Sequence, residues 1–229
     1  MFPKKNFKNP LVYPKCVAYK KKSLQIYFEQ KFQEILTVLQ QSKKNNQIFS
    51  FDLNQKKLVV HDLLFDIENI CSEGDANDER TIVNVVYTKT GKKFIVVFLS
   101  EDCITENDFA WQIACQMTIH QCKLAADVVA FGKTSVNDIN VKNSFFFVQE
   151  HVGVKVQKYS AETEEIVKKA ESYIEEKSCL RQIKCPLKQQ TLLFNKITLK
   201  LYFSDFSRKN WTKKHINKKT TESSTVLCY

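Results

Sequence analysis

Residues 80–99 read Arg-Thr-Ile-Val-Asn-Val-Val-Tyr-Thr-Lys-Thr-Gly-Lys-Lys-Phe-Ile-Val-Val-Phe-Leu. Two apolar runs, Ile82 to Val86 and Phe94 to Leu99, flank the polar triplet Thr90-Gly91-Lys92. β-Branched and aromatic residues suit a pleated surface, and a glycine in a short gap supplies the backbone freedom of a tight turn. The stretch therefore predicts two antiparallel strands, Arg80 to Tyr87 and Phe94 to Leu99, joined as a hairpin.

Downstream, Thr105 stands three residues before Asp108, an approximate capping box. The helix it opens carries Phe109, Ile113 and Met117 at i, i+4 and i+8. Cys122 to Phe131 returns to a strand pattern that Gly132 breaks, and Asn143 to Tyr159 is a last long extended run. A second helix follows Ser160, with glutamates in its first turn and a stripe of Ile166, Ala170, Tyr173 and Ile174. Glu164 with Lys168 and Glu165 with Lys169 are paired at i, i+4. Beyond Pro186, Leu192 to Phe206 alternates like one or two further strands, and the tail from Arg208 is basic and rich in Ser and Thr.

Upstream, residues 1–22 form an extended basic arm punctuated by Pro3, Pro10 and Pro14. From Ser23, Leu24, Phe28, Phe32, Ile35, Leu36 and Leu39 share one helical face. Ile48 to Leu53 is a short strand, Asn54-Gln55 a turn, Leu58 to Ile70 a second extended run and residues 72–79 an acidic loop. The central order is three strands, a helix, two strands and an outer helix. Five strands with a helix between the third and fourth is the pattern of an OB-fold, a five-stranded Greek-key barrel, in a β-rich α+β chain. The expected domains are the arm at 1–22, an OB-fold domain with flanking helices at 23–180, and a C-terminal extension at 181–229 able to hold a hairpin and a basic tail.

Among the 229 residues are 17 Phe, 8 Tyr, 4 Gly and 4 Pro, a composition that builds a core and excludes collagen-like and Gly/Pro-rich classes. No apolar run is long enough for a membrane helix, and the start of the chain lacks the apolar stretch of a secretory signal, so an intracellular, reducing setting is expected. The 8 cysteines then read as thiols, and the Cys115–Cys122 spacing is poor for zinc. The net charge of +10 is uneven: residues 1–60 carry +9, residues 61–150 carry −7 and residues 151–229 carry +8. Basic ends around an acidic centre suit a subunit of a nucleoprotein assembly better than a free-standing DNA clamp.

No phosphate-binding loop, Rossmann glycine motif, Gly-x-Ser-x-Gly or His-Glu-x-x-His occurs. Neither catalytic residues, metal nor cofactor are expected. Glu101, Asp102, Glu106 and Asp108 cluster around the start of the middle helix. Helix capping and a solvated face account for them as they stand; as function, they make a charged patch for a basic protein partner, with Phe109 and Trp111 as apolar anchors. Lys20, Lys21 and Lys22 at one end, and Trp211, Lys213 and Lys214 at the other, interleave lysines with aromatics as single-strand nucleic-acid binders do.

The hairpin at Gly91, the exit Leu99-Ser100-Glu101, the helix start Glu106-Asn107-Asp108-Phe109-Ala110-Trp111, the strand Phe146-Phe147-Val148-Gln149 and the final amphipathic helix together resemble a known layout. From Arg80 to about Lys177 the chain is similar to the OB domain of telomerase-recruiting telomere proteins. That family includes the adrenocortical dysplasia protein of shelterin and the OB-fold subunits of yeast and ciliate telomerase. The resemblance implies a nuclear, non-enzymatic subunit of a telomerase or telomere ribonucleoprotein. Such a subunit touches the catalytic reverse transcriptase through an acidic patch, promotes recruitment or repeat-addition processivity, and meets telomeric DNA or telomerase RNA indirectly. By position, Glu101, Asp102, Glu106 and Asp108 are the counterparts of that patch. The competing expectations are an OB barrel binding single-stranded nucleic acid through its basic ends and, last, an enzyme.

Overall fold

The computed structural model describes residues 21–41, 49–73, 80–136, 141–156, 161–178, 180–182, 192–198, 200–208 and 211–213. The elements in order are α1 (Lys21–Gln41), β1 (Phe49–Asp52), β2 (Lys57–Val60), β3 (Leu63–Glu73), β4 (Arg80–Tyr87), β5 (Lys93–Ser100), α2 (Glu106–Gln121), β6 (Val128–Val136), β7 (Val141–Glu150), β8 (Val154–Lys155), α3 (Ala161–Ser178), β9 (Leu180–Gln182), β10 (Leu192–Asn195), β11 (Lys200–Phe203) and β12 (Trp211–Lys213). Ser72 and Glu73 of the acidic loop expected at 72–79 belong to β3, and the rest of that loop, Lys20, Lys214 and most of the expected N-terminal arm and C-terminal tail lie outside the described residues.

The hairpin of residues 80–99 is the centre of the main sheet. Val83 faces Val96 and Val85 faces Phe94 across it. Gly91 turns the chain at φ +69°, and Tyr87 closes the loop through its N–H to Lys92 O at 2.8 Å. Around this pair the sheet runs in the order β1-β2-β3-β4-β5-β7-β6, all antiparallel. The expected five strands with a helix between the third and fourth are present as β3, β4, β5, β6 and β7. The sheet nevertheless has seven strands rather than five. The run Leu58 to Ile70, expected as one strand, turns back on itself at His61-Asp62, so that Val60 pairs with Leu63. His61 carries the reversal at φ +53°, without the Asn-Gly or Asp-Gly signature that announces such a turn in a sequence.

The sheet curls until β1 comes back over β7 and β5. In a flat sheet β1 would lie roughly 24 Å from β7, five strand spacings away. Instead the Phe49 ring of β1 sits 4.9 Å from that of Phe146 on β7 and 5.6 Å from that of Phe98 on β5. The enclosed face is a core of Leu58, Val60, Phe65, Ile67, Val83, Val85, Phe94, Val96, Phe98, Ala130, Phe146 and Val148. The architecture is thus a β-rich α+β fold with a nearly closed, barrel-like antiparallel sheet and three helices.

The outer face of β5 and β7 is apolar as well. Val97, Leu99, Phe145 and Phe147 pack under α2, whose far side is covered by α1. That double burial explains the unbroken runs Phe94–Leu99 and Phe145–Val148, since a strand with a core on each side has no polar face. It also explains why α2 departs from the expected single stripe. Phe109 and Ile113 are buried, but so are Ala110, Gln112, Ala114, Cys115, Gln116, Thr118 and Ile119. Leu24, Phe28, Ile35 and Leu39 of α1 face the same core as expected, whereas α3 buries Val167, Ala170 and Ile174, with Val167 in the place expected for Ile166.

Two further expectations are corrected. The strand expected over Cys122–Phe131 begins only at Val128, because Cys122 caps α2 and Lys123 takes the left-handed conformation (φ +60°) that ends a helix. Gly132 does not break β6 but lies within it, where a Cβ would come within 3.0 Å of the Phe146 ring. The described residues beyond 181 fall within the extension expected at 181–229 and pack against the rest of the fold. β10 and β11 form the anticipated hairpin, β12 pairs with β9, and Leu192, Phe203, Phe206 and Trp211 belong to the helical core.

Candidate functional site

Chain geometry gathers four carboxylates where β5 hands over to α2. Glu101 and Asp102 occupy the exposed turn after Ser100, whose Oγ accepts the Asp102 N–H at 3.2 Å. Thr105 caps α2 with extended backbone: its Oγ accepts the Asp108 N–H at 3.2 Å and donates to Asp108 Oδ2 at 2.8 Å. Glu106 and Asp108 therefore stand in the first helical turn, where the helix dipole favours negative charge.

Two cations that sequence reasoning missed hold this rim. Lys133 of β6 lies 3.2 Å from Glu101 Oε1, also pairs with Glu106, and sits 5.0 Å above the Phe145 ring. Burial alone would lower the Lys133 pKa, but the hydrogen bonds and charges of Glu106 and Glu101 outweigh it, so the net shift is upward. Arg208, in the segment after β11, places Nε 3.4 Å from Asp108 Oδ1 and its guanidinium 4.9 Å from the centre of the Trp111 ring. A signal for Lys133 exists in the sequence, since it is the lone charge in the run Val128 to Val136. Arg208 has none, because its partners are some hundred residues away.

The six residues expected to bind a partner separate into four groups. Glu101 and Asp102 are both exposed, and Glu101 already pairs with Lys133. Glu106 and Asp108 are half-buried and already engaged within the fold. Phe109 is not an anchor: it is 0 % exposed and stacks on Phe145 at 4.8 Å. Trp111 is half-buried, with its ring edge-on to Phe28 at 4.9 Å and to Phe32 at 6.5 Å, and with Arg208 over it.

The nucleic-acid residues fare differently. Trp211 is 1 % exposed, packed against Phe203 and Phe206 at 5.6 Å each, so it offers no face to a base. A stacking platform needs an open ring, and this correction removes the aromatic from the C-terminal basic cluster. Lys213 lies in β12 and Lys21 and Lys22 begin α1, but their side chains, like Lys20 and Lys214, are outside the described residues.

Among the described residues no group of three His, Cys, Asp or Glu is placed to hold a metal. Burial pushes the Cys115 thiol well up, and His120 Nδ1 lies 3.0 Å from Ala125 O. No helix of the described residues is long and apolar enough to cross a membrane. A scan against protein families finds none that matches the chain, and a search of curated proteins finds no significant relative.

Proposed function

We propose that this chain is a non-enzymatic adaptor on an OB-like barrel, which binds a basic protein surface through the carboxylate rim at the start of α2. One observation carries the reading: four carboxylates converge on one rim, and only Lys133 and Arg208 pair with them among the described residues. The rim keeps negative charge, and its most exposed members, Glu101 and Asp102, project from a turn anchored to a rigid sheet. Such a patch steers and orients a positively charged partner. The OB assignment rests on the strand order β3-β4-β5-β7-β6 with α2 between the third and fourth strands, to which β1 and β2 are an addition. The resemblance to telomerase-recruiting telomere proteins supplies the partner: the reverse transcriptase of a telomerase ribonucleoprotein, with promotion of recruitment or processivity as the outcome.

The test is charge reversal at the two most exposed carboxylates. Glu101→Lys with Asp102→Lys is expected to abolish nuclease-resistant co-purification of the reverse transcriptase and to lower repeat-addition processivity, with cooperative unfolding retained although the Lys133 pair with Glu101 is lost. Retained co-purification would refute the rim as the docking surface. Recovery that disappears on nuclease treatment of the wild type, with steeply salt-dependent DNA or RNA binding, would instead establish the nucleic-acid module.

A further inference from the structure

We propose that Asp108 and Trp111 form a seat for an arginine side chain, and that the chain's own Arg208 fills it as an internal competitor of the partner. The proposal rests on the adaptor reading above and names what the rim recognises. The geometry is that of guanidinium recognition: a carboxylate oxygen 3.4 Å from Nε, and an indole face 4.9 Å from Cζ. A flat, delocalised cation pairs and stacks in this way, and an ammonium does so less well. The chain uses lysine almost everywhere, with three arginines among its 35 basic residues, yet the cation over Trp111 is an arginine.

Both halves of the seat are built. Asp108 is oriented by the Thr105 hydroxyl at 2.8 Å, and Trp111 is fixed edge-on against Phe28. Its occupant is exchangeable. The Arg208 and Asp108 side chains are 47 % and 40 % exposed. The segment carrying Arg208 is held by other residues, Phe206 before it and Trp211 after it, each 1 % exposed. The Arg208 side chain can therefore swing out while its segment stays in place, leaving an acidic and aromatic site beside Glu101 and Asp102. An arginine from a partner would enter the same place, and the C-terminal segment sets how much partner is needed to do so.

The experiment titrates the full chain with hexa-arginine and, separately, hexa-lysine, following the indole N–H resonance of Trp111, which Trp111→Phe identifies. Arg208→Ala is expected to bind hexa-arginine about fivefold more tightly than wild type, the scale of one exposed ion pair plus one cation–π contact. It should shift the Trp111 resonance and favour arginine over lysine. Asp108→Asn in the same background should lose the gain. Equal affinity of Arg208→Ala and wild type, an unmoved Trp111 resonance, or no preference for arginine would each overturn the seat. If the seat responds but Arg208→Ala leaves reverse-transcriptase capture unaltered, the adaptor reading fails while the seat stands. If the Glu101 and Asp102 reversals abolish capture but the peptide titration is flat, the seat fails alone.

Discussion

Gly153 and Gly132 look alike in a sequence, as small residues near strand ends, and the structure separates them. A Cβ at Gly153 would collide with Phe194 O and lie 2.8 Å from Asn195 N, both backbone atoms with no rotamer to yield. A Cβ at Gly132 would meet only the Phe146 ring, at 3.0 Å. Overpacking costs about 1–3 kcal/mol, with the upper end expected where nothing can move. Gly153→Ala should therefore destabilise the chain more than Gly132→Ala in urea unfolding. It should also expose the Val156 N–H, which donates to Leu192 O at 3.0 Å, to hydrogen exchange. Equal costs for the two variants would contradict the backbone contact. The sequence shows that glycines are scarce; it does not show which backbone passes over each.

At the scale of the element, α2 shows how far local signals reach. Its start was legible: a hydroxyl and a carboxylate three apart became the cap that the Thr105–Asp108 hydrogen bonds describe. Thr105→Ala should cost about 1 kcal/mol in thermal or urea unfolding, and Thr105→Ser should retain most of it. A neutral Thr105→Ala would mean that other groups satisfy the first turn. The buried surface was not legible. Phe109, Ile113 and Met117 mark a single stripe, whereas α1 on one side and the sheet on the other bury most of the circumference. The sequence pattern of one helix carries no information about how many neighbours cover it. The same limit hides the hairpin in Leu58 to Ile70, since a strand apolar on both sides of a turn reads as one long strand.

For the whole molecule, the decisive residue is Trp211. Counted with the basic tail by its neighbours in sequence, it instead closes the core over Phe203 and Phe206 and ties β12 to β9. Removing a buried indole costs about 3–5 kcal/mol. Trp211→Ala should lose stability on that scale and release the segment from residue 181 onward to limited proteolysis. A variant as stable as wild type would restore that segment to the status of an appendage. Arg208 is placed by this closure, so the seat on Asp108 and Trp111 depends on the C-terminal segment being part of the fold.

The hairpin of residues 80–99, the three helices, the cap of α2 and the acidic character of the rim follow from local sequence. Each is written in neighbouring residues, through alternation, 3.6-residue periodicity, capping chemistry and charge. The curling of seven strands into a barrel-like sheet, the burial of Phe109 and Trp211, and the pairing of the rim with Lys133 and Arg208 emerge only on folding. Those depend on contacts between residues far apart in the chain, and burial is a property of what covers a side chain rather than of the side chain itself.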